Sequence, residues 1–267
     1  MPLIRVCLAG ATGWAGSELA RGIAATDDLR VVSAASRTHA GEMLGEVLGE
    51  PRLSCPVFAT AAEALGVGCD VFVEYTKPGV AKANILAALD HGAHVVVATS
   101  GLSEDDYQEI DRAARRQSRG VIACGNFALT VVLLQRFAEI AARYIPQWEI
   151  IDYAHDDKPD APSGTARELA VRLSHVRAPV ATVPVEDTVG FPEARGVTYS
   201  STQVHSVRLP GYVIGAEVIF GMRDQRLTIR HDSGSGARPY VDGALLAIRR
   251  VSTLLGLHRG LDDVMDL

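Results

Sequence analysis

The chain opens on an apolar run, Leu3 to Ala9, which breaks into Gly10-Ala11-Thr12-Gly13-Trp14-Ala15-Gly16 and then into helical composition from Ser17 to Ala25. After the polar turn Thr26-Asp27-Asp28 comes a second apolar run, Val31 to Ala35. Others follow at Val71 to Val73, His94 to Ala98 and Val121 to Ala123. Helical stretches separate the later runs, Val80 to His91 and Ser103 to Gln117; Ser103 with Asp106 three residues on suits a capped start. Short runs that are apolar on both faces and alternate with helices predict a doubly wound α/β domain with a parallel sheet covered on both sides.

The texture changes after about residue 128. An apolar helix, Leu129 to Tyr144, stops before Pro146, and Trp148 to Tyr153 reads as a strand. A polar loop (Asp156 to Gly164) and a helix (Thr165 to Ser174) follow. Then come strand-like stretches at Gln203 to Leu209, Tyr212 to Phe220 and Arg226 to His231. Consecutive strands facing a few helices predict a second α+β domain with a mixed or antiparallel sheet. Arg238 to Leu255 reads as a closing helix with Ala244, Leu245, Ile248, Val251 and Leu255 on one face.

Composition narrows the classes. With 267 residues, 48% apolar and 22% charged, the chain is long enough for one large or two modest globular domains. Its 26 Lys and Arg against 32 Asp and Glu make it mildly acidic, which argues against nucleic acid as a partner. Cys7, Cys55, Cys69 and Cys124 form no CxxC pair, and His91, His94 and His205 have no metal-ligand spacing, so neither a disulfide framework nor a metal site is expected. No apolar run approaches the length of a membrane span, and the first residues lack the pattern of a secretory leader, so a cytoplasmic protein is expected.

Gly10, Gly13 and Gly16 sit between a predicted strand and a predicted helix, the context of a Rossmann-like dinucleotide turn, although the first spacing is GxxG rather than GxG. Small residues there let backbone N–H groups and the positive end of the helix meet a pyrophosphate. The second strand ends Ala34-Ala35-Ser36-Arg37. No acid stands there to read a ribose 2′-hydroxyl, whereas Arg37 suits a 2′-phosphate, so NADPH is the expected cofactor, with NADH possible.

The most informative stretch is Asp152 to Ala166. Ser163-Gly164-Thr165 opens a helix, Lys158 lies upstream on a loop stiffened by Pro159 and Pro162, and His155 adds an imidazole donor. A cation beside a helix N-terminus suits a small carboxylated molecule.

Lys158-Pro159-Asp160-Ala161-Pro162-Ser163-Gly164-Thr165-Ala166 resembles the KxDAPSGTA signature of the dihydrodipicolinate reductase family. Ile4 to Gly16 resembles the family's N-terminal fingerprint. Tyr75-Thr76-Lys77-Pro78 resembles its FTxP turn, Ala98-Thr99-Ser100-Gly101 its GTTG, and Gly125-Asn126-Phe127 its NF turn. His205 to Gly211, Glu217 to Gly221 and His231-Asp232-Ser233 resemble its substrate-domain strands.

The resemblance implies NAD(P)H-dependent reduction of a cyclic dicarboxylate in lysine and diaminopimelate biosynthesis. It implies a nucleotide domain over 1–127 completed by a C-terminal helix (237–267), and a substrate domain over 128–236 that assembles a homotetramer through its open sheet. Cofactor contacts are then expected from Gly10, Ala11, Thr12, Gly13, Trp14, Ala15, Ser36, Arg37, Tyr75, Thr76, Ala98, Thr99, Ser100, Gly101, Gly125, Asn126 and Phe127. Lys158 matches the catalytic lysine, His155 the second of two paired histidines, and Gly164 and Thr165 the carboxylate-holding residues, with Ser163 beside them.

The chain departs from the family's HHxxK pattern: the first histidine, the usual proton donor, is Ala154 here, and Trp14-Ala15 replaces the usual Arg-Met. Lys158, His155 and Tyr153 are the remaining titratable neighbours, ranked in that order. Ala154 keeps two other readings open, a paralogue acting on a different imine and a non-catalytic nucleotide- or metabolite-binding protein.

Overall fold

The computed structural model describes residues 3–265. Met1 and Pro2, at the head of the stretch read for a leader, and the last two residues of the expected 237–267 segment lie outside the described residues. The chain forms two compact units: one runs to Leu129 and resumes at Gly236, and the other is Thr130–Ser235.

The first unit begins with β1 (Ile4–Ala9), α1 (Trp14–Ala24), β2 (Leu29–Ala35), α2 (Leu44–Leu48), β3 (Val57–Phe58) and α3 (Ala61–Leu65). It continues with β4 (Val71–Glu74), α4 (Pro78–Asp90), β5 (His94–Val97), α5 (Glu104–Arg116) and β6 (Gly120–Ala123). In the second unit lie nearly all of α6 (Leu129–Tyr144), then β7 (Trp148–Ala154), α7 (Gly164–Val176), β8 (Val197–Tyr199), β9 (Thr202–Arg208), β10 (Ile214–Met222) and β11 (Gln225–Ser233). The chain returns to the first unit with α8 (Val241–Arg250) and β12 (Gly256–Arg259).

The seven-stranded sheet has the order β12-β6-β5-β4-β1-β2-β3 and is parallel throughout. Its central strands are buried on both faces, with Val6, Leu8, Phe72, Val73, Val95, Val96, Val121 and Ile122 at no more than 1% exposure, which is why they read as unbroken apolar runs. Strand order reverses between β1 and β4, so the loops leaving these two strands diverge and open a crevice at the carboxyl edge.

The expected closing helix is shorter than its apolar pattern. After α8 and one 3-10 turn the chain turns at Gly256 (φ +79°) and adds β12 to β6 as the seventh strand. Four residues with no alternation of their own are drawn into a strand by a free sheet edge, a tertiary effect that overrides the local helical pattern. α2, β3 and α3, also unforeseen, are five residues or fewer each, too short for periodicity to register. α8 packs on α1 where Gly22 leaves room for Val241, and Arg249 grips Asp28 with two bonds of 2.7 and 2.9 Å.

The second unit carries a mixed five-stranded sheet, β11-β10-β7-β9-β8, in which only β7 and β9 run parallel. Along β7, Trp148, Ile150, Asp152 and Ala154 are buried while the residues between them are half-buried, so one face is covered and the other open. The covered face packs Trp148, Ile150, Val218 and Phe220 against Leu134 and Ala138 of α6 and Leu169 and Leu173 of α7.

Two imidazoles, the buried His231 and the half-buried His94, sit where the neutral ring is favoured. His94 Nδ1 accepts from Gly120 N–H at 3.0 Å, and His231 Nδ1 lies 2.9 Å from the Thr130 hydroxyl. Burial holds both below the usual histidine value of 6.5, and the Arg119 guanidinium adds to the effect at His94. The unfolded chain therefore takes up protons below about pH 6.5 that the folded chain refuses, so this stability is complete above that pH and lost on acidification through it. Urea midpoints should fall between about pH 8 and pH 5.5, and His94→Asn, which keeps an acceptor, should flatten part of the slope; an unchanged slope in the variant would exclude His94 as a source.

Candidate active site

In the first unit, the residues expected to touch a dinucleotide lie in the turns, and for Trp14 and Ala15 the helix start, that follow the carboxyl ends of five adjacent strands. Gly10 to Ala15 follow β1, Ser36 and Arg37 follow β2, and Tyr75 and Thr76 follow β4. Ala98 to Gly101 follow β5, and Gly125 to Phe127 follow β6.

The turn after β1 closes so tightly that side chains are excluded. A Cβ on Gly16 would stand 2.1 Å from Gly10 O, and one on Gly10, itself at φ +80°, would stand 2.4 Å from Tyr75 O. Gly13 caps α1 without any capping side chain, and no acid lies in the first turn, so the N–H groups there are open to an anion. Ala11 is fully buried and can offer only backbone. Trp14 is 64% exposed and meets the Tyr240 ring edge-on at 6.0 Å. Thr12 Oγ1 bonds Ser36 Oγ at 2.6 Å, Ser36 reaches Thr38 at 3.3 Å, and the exposed Arg37 makes no ion pair among the described residues. Three hydroxyls beside an uncommitted guanidinium fit the 2′-phosphate of NADPH.

Tyr75 stacks obliquely on Phe127 at 6.4 Å, and burial pushes its phenol well above the usual range. Asn126 Oδ1 ties its own turn by accepting from Ala128 N–H at 2.9 Å, while Gly101 (φ +91°) rests on Pro78.

In the second unit, β7 delivers the chain into the lysine loop. Lys158 Nζ lies 2.5 Å from Asp160 Oδ1, with the side chain about a quarter exposed. His155 Nδ1 lies 2.8 Å from Asp156 Oδ1 and 3.0 Å from Asp157 Oδ1, on a half-exposed side chain. Ser163 is spent inside the chain: its N–H donates to Asp152 Oδ2 at 2.8 Å and its Oγ accepts from Ala166 N–H at 3.3 Å. The position expected to hold substrate is thus the helix cap, and the open N–H groups of the first turn belong to Gly164 and Thr165.

Ala154 is fully buried on the covered face of β7. Tyr153 lies on the open face, as strand alternation requires: its hydroxyl donates to Glu217 Oε2 at 3.3 Å, its ring stacks on Tyr212 at 5.1 Å, and the Arg230 guanidinium lies 4.6 Å above it. Desolvation and the Glu217 carboxylate push the Tyr153 phenol up, which makes it a poor proton donor.

Sequence reasoning missed the pair that shapes the loop. Asp152, fully buried, accepts from Ser163 N–H, from Arg208 Nη2 at 2.8 Å and from Ser206 Oγ at 3.2 Å, all on Oδ2. Arg208 Nη2 also donates to Asp160 O at 2.6 Å, so the Asp152–Arg208 pair fastens the loop on both sides of Pro162. Asp152 Oδ1 and Arg208 Nε are buried without a partner among the described residues. The available signal was parity: Asp152 has the phase of Trp148 and Ile150, so an acid there had to be buried and paired. Among the described residues no group of three or more His, Cys, Asp or Glu could hold a metal.

A parallel-sheet unit with a dinucleotide turn, and a second unit in which a lysine-bearing loop leads into an open helix N-terminus, define a nicotinamide-dependent oxidoreductase acting on a carboxylated substrate. Residues 4–127 match the family profile for the dihydrodipicolinate reductase N-terminus and residues 130–265 that for its C-terminus. The chain is 39% identical to the 4-hydroxy-tetrahydrodipicolinate reductase of Moorella thermoacetica, covering 98% of each chain, and 36% identical to that of Halalkalibacterium halodurans, covering 99% and 100%. It superposes with a TM-score of 0.89, at 30% identity, on a dipicolinate-bound dihydrodipicolinate reductase from a Paenisporosarcina species, covering 98% of this chain and all of that one. The chain belongs to the dihydrodipicolinate reductase family and is an NAD(P)H-dependent reductase of a small cyclic dicarboxylate. Full-length similarity does not favour the reading as a non-catalytic binding protein.

Breaking the buried pair should be costly. Asp152→Asn leaves the Arg208 charge uncompensated, and urea unfolding should show a loss of about 3–5 kcal/mol; a loss under about 1 kcal/mol would mean that the pair does not hold the loop.

Proposed function

We propose that this chain reduces 4-hydroxy-tetrahydrodipicolinate or a close cyclic dicarboxylate relative, with Lys158 as the proton donor and Gly164 and Thr165 as the carboxylate anchor. The observation that carries the reading is the open first turn of α7 standing directly after a loop that bears Lys158. When bound, the nicotinamide supplies the hydride. The chain must orient the ring and deliver one proton to the atom beside the reduced carbon. The N–H groups of Gly164 and Thr165 orient one carboxylate, with the helix dipole favouring the anion.

Lys158 carries the proton on a side chain that Asp160 holds to its own loop. A substrate carboxylate competing for Lys158 would draw the ammonium from Asp160 toward the ring. His155 is half-exposed and its Nε2 makes no hydrogen bond among the described residues, which leaves it available to a second carboxylate. With alanine at 154 and Tyr153 committed to the opposite face, Lys158 is the donor best placed on this loop.

We place the enzyme in the cytoplasm as a homotetramer. Support comes from four cysteines that form no disulfide among the described residues and from the open face of the second sheet, where Ile151, Ile219 and Tyr153 remain half-buried. No helix among the described residues is long and apolar enough to cross a membrane.

Lys158→Ala should lower turnover by about 100-fold or more, the scale of a lost general acid, while leaving NADPH affinity within about twofold. Retention of most turnover would reduce Lys158 to a positioning charge. Arg37 should confer NADPH preference: calorimetry should give NADPH at least about tenfold tighter than NADH, or ~1.4 kcal/mol, and Arg37→Ala should abolish the difference. Equal affinities in the wild type would remove Arg37 from the site.

A further inference from the structure

Glu74, the last residue of β4, is fully buried although the strand it ends, Val71-Phe72-Val73, is otherwise apolar. A carboxyl in that position carries a large desolvation penalty unless donors surround it. Burial pushes its pKa up, and its hydrogen bonds oppose that shift. No cation contacts it among the described residues. Its partners are all neutral and come from three separate pieces of chain. Oε1 accepts from Thr76 N–H at 2.7 Å, from the Thr76 hydroxyl, and from Thr99 Oγ1 at 3.3 Å; Oε2 accepts from Asn84 Nδ2 of α4 at 2.9 Å.

Thr76 and Thr99 belong to the turns leaving β4 and β5, two of the turns that line the carboxyl edge. The backbone ladder ties those turns only at their root, through Ala98 N–H to Glu74 O at 3.0 Å. Thr99 Oγ1 also lies 3.3 Å from Glu74 O, and beyond these two main-chain contacts the Glu74 side chain joins them. The tie reaches further through Tyr75. Its carbonyl forms the surface against which Gly10 closes, and its ring lies on Phe127 in the turn after β6. One carboxylate therefore sets the Thr76 and Thr99 turns directly and bears on those of Gly10 and Phe127 through the residue between them.

We propose that Glu74 is the positioning residue of the cofactor site, holding the turns after β4 and β5 in the one arrangement that accepts a nicotinamide dinucleotide. The inference rests on the reading that these turns bind NADPH. Glu74 donates no proton and accepts no hydride; it acts through Thr76 and Thr99. Preorganised turns lower the ordering cost of binding, so the loss should show in cofactor affinity rather than in turnover at saturation.

The test measures NADPH binding by calorimetry, KM for each substrate, and thermal stability for three variants. Glu74→Ala removes every side-chain tie, leaving only the main-chain contacts to Glu74 O, and should weaken NADPH binding and raise its KM by about tenfold or more, the scale of one or two lost hydrogen bonds to a charged group, with kcat at saturation and the dicarboxylate KM changing less than about threefold. Glu74→Gln should restore affinity to within about threefold, because its carbonyl can keep Thr76 and Thr99 while the Asn84 amide turns over to accept. Thr99→Val removes the hydroxyl that reaches both Glu74 Oε1 and Glu74 O and should weaken binding by about threefold or more. A folded Glu74→Ala protein that binds NADPH like the wild type would overturn the inference, as would a loss confined to melting temperature. If Glu74→Ala does not fold, Thr99→Val decides, and unchanged affinity there overturns it. Failure of the wild type to bind NADPH would instead overturn the cofactor reading itself.

Discussion

A carboxylate removed from water must be met by donors, and each unit of this chain uses that constraint to shape its functional loops. Glu74 and Asp152 both have no exposure, and each stands at or near the carboxyl end of a strand. The cost of burying an ion is several kcal/mol after relaxation, so such a group persists only where the chain around it is closely held. The two are satisfied differently. Glu74 gathers neutral donors from two turns and a helix, whereas Asp152 faces a guanidinium that also grips the loop beyond it. Both arrangements turn an otherwise independent loop into part of the strand's rigid frame.

That rigidity matters because the groups left to meet ligands are mostly backbone. At α1 the close approach of Gly10, Gly16 and Tyr75 excludes side chains from the turn, and at α7 the Ser163 cap leaves only the N–H groups of Gly164 and Thr165 open. Backbone donors cannot adjust by rotamer, so their aim depends on whatever fixes the loop. A lysine is different: Lys158 has a flexible stem and a nearby carboxylate, and it can exchange one anionic partner for another.

The alanine at 154 has a physical setting as well as a sequence context. Its side chain points into the covered face of β7, in phase with Trp148, Ile150 and Asp152, and is wholly enclosed. An imidazole placed there would have to displace packed neighbours, at a cost of roughly 1–3 kcal/mol for overpacking. Closure around the smaller residue leaves no titratable side chain at position 154.

Periodicity and turn chemistry were enough to read much of this protein from its sequence. The apolar runs of β1, β2, β4, β5 and β6 announced a parallel sheet because strands buried on both faces are mostly apolar, with polar residues such as Ser33 and Glu74 the exceptions. The glycines at 10, 13 and 16 announced the turn because no larger residue closes it. The Lys158 to Ala166 stretch carried its meaning in a contiguous segment, where a helix cap, a cation and prolines stand side by side. What the tertiary structure alone decided depends on partners far apart in the chain. β12 is a strand because β6 offers an edge 136 residues earlier in their paired register, Gly256 with Gly120. Arg208 meets Asp152 across 56 residues, and Glu74 meets Thr99 across 25. A single sequence shows the charge of such a residue and, through strand parity, that it is buried; which donor comes to meet it is settled only when the sheet assembles.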